Sequence, residues 1–208
     1  MRNITKSDAP KFWLKLIKKN PHLRYTELEP HYKQQKTLLK ETILRGEQFY
    51  LCCYCCKIID ESCSHIEHFR SRDRCPQLEM KYENMLISCS GNTCGMKKGN
   101  QDFSSSMTYS SWEHRFEYSV DGHILPRADD SEAGEAIDIL NLNDRILVQL
   151  RRAVYDECIR YAKWAGKDYI KETYIDMTDG HLPRFPKMVE YFYNRGDFDA
   201  DVVDASYR

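Results

Sequence analysis

Apolar and polar positions divide the chain into three stretches with different periods. Phe12, Trp13, Leu16 and Ile17 form one helical stripe, which Asn20-Pro21 ends because the residue before a proline is driven out of the helical region. A second helix is expected from near Thr26, where Thr26 and Glu29 have capping-box spacing, through Tyr32, Leu39 and Ile43 to Gly46. The two should pack as a hairpin. Between Gln48 and Phe103 the pattern shortens to the runs Phe49 to Cys52, Ile58 to Ile59, His65 to Phe69 and Met85 to Cys89, separated by polar turns. Strands this short enclose no core by themselves, so a metal staple is expected.

Past Ser104 the chain reads as loop, then as a hairpin of Phe116 to Val120 and His123 to Leu125 around Asp121-Gly122. Ile146, Leu147, Leu150, Val154, Cys158 and Tyr161 recur at three- and four-residue intervals and predict one amphipathic helix from about Asp144 to Trp164. A last helix is expected from roughly Pro186 to Tyr193, followed by an acidic tail (Asp197, Asp199, Asp201, Asp204) expected to be frayed or partner-bound. The resulting division is a helical hairpin over 1–47, a small module over 48–103, and a β-hairpin with helices over 104–208, giving an α+β chain that is mainly helical.

Composition narrows the function. With 208 residues, 41% of them hydrophobic, the chain can bury a core. No run approaches the roughly eighteen apolar residues of a membrane span, and Met-Arg-Asn-Ile-Thr-Lys lacks the apolar core of a secretion signal, so a cytoplasmic protein without a membrane partner is expected. Lysine plus arginine (31) nearly cancel aspartate plus glutamate (32), which leaves no global field for a phosphate backbone. Any nucleic-acid contact must be local or helped by a partner.

Nine cysteines change the picture more, because eight fall between Cys52 and Cys94. Cys52-Cys53-Tyr54-Cys55-Cys56 offers two overlapping C-x-x-C pairs, Cys52/Cys55 and Cys53/Cys56, and Cys89 with Cys94 offers another. Two separated pairs suit a tetrahedral zinc site of four thiolates better than a redox pair or buried apolar cysteines. Cys52 and Cys55 are the favoured first pair, since an apolar strand leads into Cys52 and Tyr54 then sits in the turn. Cys63, Cys75 and Cys158 have no near partner at ligand spacing and are expected to be free thiols.

Inside the loop closed by these cysteines lie His65-Ile66-Glu67-His68-Phe69 and Tyr82-Glu83-Asn84-Met85-Leu86. This order resembles the HNH endonucleases, and, with Cys94-Gly-Met-Lys-Lys-Gly and Ile139-Leu140-Asn141-Leu142-Asn143 further on, it is similar to the HNH nuclease subunit of Septu-type and some retron anti-phage systems. The resemblance implies a zinc-stapled ββα-metal module. It further implies that Glu67 binds a catalytic divalent ion, that His68 is the general base, and that Asn84 either holds the metal or fixes the loop presenting the histidine. It also implies DNA of invading phage as substrate and a complex with an ABC/SMC-like ATPase subunit.

Where the family carries His or Asn after the last cysteine, this chain has Gly95, so Asn100 or Asp102 is the candidate replacement, and His65 is a spare. The chemistry is coherent, because a neutral imidazole can deprotonate water while a carboxylate holds Mg2+ or Mn2+. Adjacent strand residues point to opposite faces, so the strand must bend or end at Glu67-His68. Lys97, Lys98 and Arg70 are the candidate phosphate contacts, with a solvated basic face an equal account of the arginine. The competing reading is a zinc-stapled nucleic-acid- or protein-binding module without catalysis.

Overall fold

The N-terminal stripe forms α1 (Lys11–Lys19), which buries Trp13 and Leu16. The structure is a computed structural model that describes residues 1–205. Asn20 ends α1, its side-chain amide donating to Leu16 O at 3.0 Å. The second expected helix is broken into a 3-10 turn at Tyr25–Glu27, α2 (Leu28–His31) and α3 (Lys33–Gly46). Pro30 accounts for the late start, because it has no amide to return to Thr26 O and a helix cannot run through from there. The cap is displaced as well: Glu27 Oε2 accepts from the Arg24 amide at 2.7 Å, in place of a box between Thr26 and Glu29. α1 packs against α3, as a hairpin should.

The central module is built on β1 (Ser64–His68) and β2 (Met85–Cys89), antiparallel with Ser64 opposite Cys89 and His68 opposite Met85. α4 (Cys94–Lys98) follows and lies against β2. Ahead of β1 the chain turns in a small knuckle closed by a bridge between Leu51 and Ile58. Gln48, fully buried, substitutes for a neighbouring strand: its Oε1 accepts from Ile87 N at 2.7 Å, and its Nε2 donates to Ile87 O at 2.7 Å and Leu51 O at 2.8 Å. Cys53 N also donates to Ile87 O, so this one residue of β2 anchors both Gln48 and the knuckle.

The expected second hairpin forms as β3 (Phe116–Tyr118) and β4 (Ile124–Pro126). Its turn needs Gly122 twice over, for a φ of +95° and because a Cβ there would run into Val148 O and come within 2.9 Å of Arg152 N. α5 (Ser131–Leu140) and α6 (Arg145–Ala165) are capped by Asp130 and Asp144, whose carboxylates accept from Ala133 N and Ile146 N. On α6, Leu147, Val154 and Cys158 are buried as the period predicts, but Ile146 is 65% exposed. Arg151 goes inside instead, donating to Gly122 O at 2.6 Å and Leu142 O at 2.7 Å.

α7 (Lys167–Tyr174), α8 (Pro186–Arg195) and α9 (Ala200–Ala205) complete the chain. In the acidic tail Asp197 pairs with Arg195 and Asp199 with Lys167, Asp201 is exposed, and the side chain of Asp204 lies outside the described residues.

Buried side chains from 1–47, 48–103 and 104–208 join in one hydrophobic cluster. Trp13 and Phe192 are fully buried in it. Trp112 ties the module to the C-terminal part, with Tyr54, Phe69, Phe103 and Phe116 all within 6.5 Å between ring centroids. We expect Trp112→Ala to lower the unfolding free energy by about 3–5 kcal/mol in urea titration, the range for emptying a large aromatic site.

Candidate functional site

The paired cysteines converge. The sulfurs of Cys52, Cys55, Cys89 and Cys94 lie within 4.8 Å of one another, and all four residues are buried. Cys55 Sγ and Cys89 Sγ stand 4.0 Å apart, close to the edge of about 3.8 Å that zinc–sulfur bonds of about 2.3 Å give a tetrahedron. The donor set therefore fits zinc. Burial would raise the Cys52 thiol, yet the surrounding thiols hydrogen-bond to it and hold it well below its ordinary value, which favours a thiolate there. The amide of Cys89 donates to the same sulfur at 3.4 Å. Cys53 and Cys56 stay outside the cluster, where burial pushes both thiols up and keeps them neutral.

The clamp holds the knuckle, the end of β2 and the start of α4 together, and Glu67 lies enclosed between them. Only 6% of Glu67 is exposed. Its Oε1 accepts from Tyr54 Oη at 3.0 Å and pairs with Lys98 Nζ at 3.0 Å. Its Oε2 faces His65 Nε2 at 3.6 Å. Burial alone would raise this carboxyl, but the His65 imidazole and the Lys98 ammonium overcome it and hold the group below the usual carboxylate value.

Gly95 packs on the same spot. A Cβ there would collide with Oε2 of Glu67 and come within 2.9 Å of His65 Nε2. The Gly95 amide donates to Ser88 Oγ at 3.0 Å, which fixes the glycine in this place.

β1 ends at His68, whose side chain leaves the opposite face of the strand from Glu67. Its Nε2 is 2.8 Å from Glu79 O, and Tyr25 covers the ring edge-on at 4.5 Å between centroids. A carbonyl only accepts, so Nε2 carries the proton and Nδ1 the lone pair. Burial pushes the imidazole down to about 4, leaving it neutral at physiological pH.

Asn84 braces the chain beyond His68: its Oδ1 accepts from Arg70 N at 2.8 Å and its Nδ2 donates to Arg70 O at 2.9 Å. Of the two roles open to Asn84, this geometry supplies the loop-fixing one.

Other candidates lie elsewhere. Lys98 is 1% exposed and donates to His68 O at 3.0 Å as well as pairing with Glu67, so it cannot reach a phosphate from outside. Arg70 points inward too, donating to the carbonyls of Phe103, Ser104, Ser105 and Met107. Both are corrected from phosphate contacts to internal braces. Lys97 remains exposed, as do Arg72 and Arg74. Asn100 donates to Asp73, and Asp102 accepts from Ser71 N at 2.6 Å, so neither is directed at Glu67 as a replacement ligand.

Tyr54, Lys98 and His65 are the partners of Glu67 that sequence reasoning did not assign. The spacing of His65 and Glu67, two residues apart on one strand, is the signal that places them on one face. No model of a known protein family and no curated protein matches the chain.

Two outcomes test this arrangement. Cys89→Ala should lose stoichiometric zinc and unfold at a much lower temperature, whereas Cys53→Ala keeps its zinc in elemental analysis. Lys98→Met should cost about 3–5 kcal/mol near pH 8, because it leaves a buried carboxylate unpaired. In that variant the folded-state pKa of Glu67 rises above the unfolded value, so the deficit relative to wild type grows with pH and shrinks toward pH 5. Denaturant melts of both proteins at matched pH check the sign.

Proposed function

We propose that the chain is a metal-dependent endonuclease of the HNH type that hydrolyses phosphodiester bonds of DNA. In this reading Glu67 binds a divalent ion, Mg2+ or Mn2+, and His68 is the general base. The observation that carries it is the end of β1, where a buried, ionised carboxylate beside four converging thiols is followed in sequence by a buried, neutral imidazole.

The chain's own groups divide the work. His68 Nδ1 takes the proton of the attacking water, Glu79 O holds the ring in the matching tautomer, and Asn84 fixes the loop around it. Tyr54 and Lys98 hold Oε1 of Glu67 and leave Oε2 to face outward from the pair. A divalent ion, when bound, supplies positive charge at the scissile phosphate. With Lys98 and Arg70 turned inward, the module offers few basic groups to DNA, and an ABC/SMC-like ATPase partner in an anti-phage complex of the Septu kind would supply the missing field.

The second reading, a zinc-stapled binding module without catalysis, is favoured by one observation: His68 is only 6% exposed beneath Tyr25. Cleavage of supercoiled plasmid with Mg2+ or Mn2+, by the chain alone and by the chain co-purified with its ATPase, separates the two. His68→Asn should cut at a rate lower by about 10²–10⁴-fold while retaining zinc. Equal rates in variant and wild type would remove His68 from the chemistry, and no cleavage by either wild-type preparation would favour the binding module.

A further inference from the structure

We propose that His65 is the second protein ligand of the divalent ion at Glu67, and that position 95 is glycine because the facing Glu67 carboxylate and His65 imidazole together occupy the space a side chain there would fill. This rests on reading Glu67 as a cation ligand. His65 and Glu67 lie two residues apart on β1, opposite Ser88 and Leu86 of β2, so they share a face. Tyr54 and Lys98 already engage Oε1 of Glu67, which makes Oε2 the oxygen open to a further partner. The group facing it is His65 Nε2, at 3.6 Å.

That distance exceeds a good hydrogen bond, and the other ring nitrogen, Nδ1, is buried with no partner. The imidazole is thus held in place by packing, without a strong hydrogen bond to define its role. Two donors meeting one ion at about 2.0–2.2 Å lie about 2.8–3.6 Å apart, depending on whether they subtend a right or a tetrahedral angle. The pair stands at the wide end of that range. Gly95 provides the clearance, since any Cβ would collide with Oε2 and crowd Nε2, and Ser88 keeps the glycine there.

The ligand set selects the ion. One carboxylate beside the buried ammonium of Lys98 leaves the site almost without net negative charge, which disfavours ions bound only by charge. A neutral nitrogen donor favours Mn2+, Co2+, Ni2+ or Zn2+ over Mg2+ and Ca2+.

The test uses the full chain with its zinc in place, titrated with Mn2+ and followed by electron paramagnetic resonance. Pulsed spectra of the wild type should show coupling to ¹⁴N. His65→Ala should lose that coupling and weaken Mn2+ binding by about tenfold or more, whereas His68→Ala keeps it. Thermal melts and zinc content of each variant establish that it is folded. Nitrogen coupling that survives in His65→Ala overturns the proposal. So does Mn2+ bound to the wild type without nitrogen coupling; if Glu67→Gln then releases the ion, the reading of Glu67 still stands. A wild type that binds no Mn2+, or binds it independently of Glu67, overturns both.

Discussion

Two antiparallel strands of five residues each cannot hold their own shape in water, so the module depends on the four thiols that meet beside them. Cys55 and Cys89 are 34 residues apart, and His65, Glu67, His68 and Asn84 lie in the loop they close. Metal binding by such a set is folding free energy, because no preformed site exists in the unfolded chain. The convergence of the thiols also fixes where α4 begins, and hence where Gly95 and Lys98 stand relative to β1.

Once α4 is placed, the carboxylate of Glu67 is enclosed between knuckle and helix, and its charge must be answered from within. Lys98 and Tyr54 do so. A buried ion pair is weak evidence of a stabilising design, since a well-packed apolar pair of the same volume often serves as well or better. A buried carboxylate kept ionised, with one oxygen left facing an imidazole, is what the proposed cation site requires.

Much of this was legible in the residues. The thiol set followed from paired spacing, the strands from their apolar runs, and α6 from its period and the capping Asp144. The broken helix is legible too, in Pro30, whose missing amide outweighs the capping-box spacing at Thr26. Lys98 and Arg70 were not legible, because a lysine or arginine among polar neighbours reads as surface. Their burial is decided by Glu67 and by the carbonyls of 103–107, contacts about 30 residues away in sequence. α7 escaped notice because Gly166 separates it from α6 and its eight residues are too few to show a period.

The first seven residues have a bearing on how the molecule assembles. Lys6 reaches Glu47 and the carbonyl of Met85, Ile4 donates to Tyr109 O, and Asn3 exchanges hydrogen bonds with Glu113. This strap therefore waits on partners separated from it by up to 117 residues, contacts of the kind that make folding slow. On the ribosome the hairpin and its thiols emerge well before Tyr109 and Glu113. The four-thiol cluster can close first, as a nucleus around which the chain from both directions is later wound.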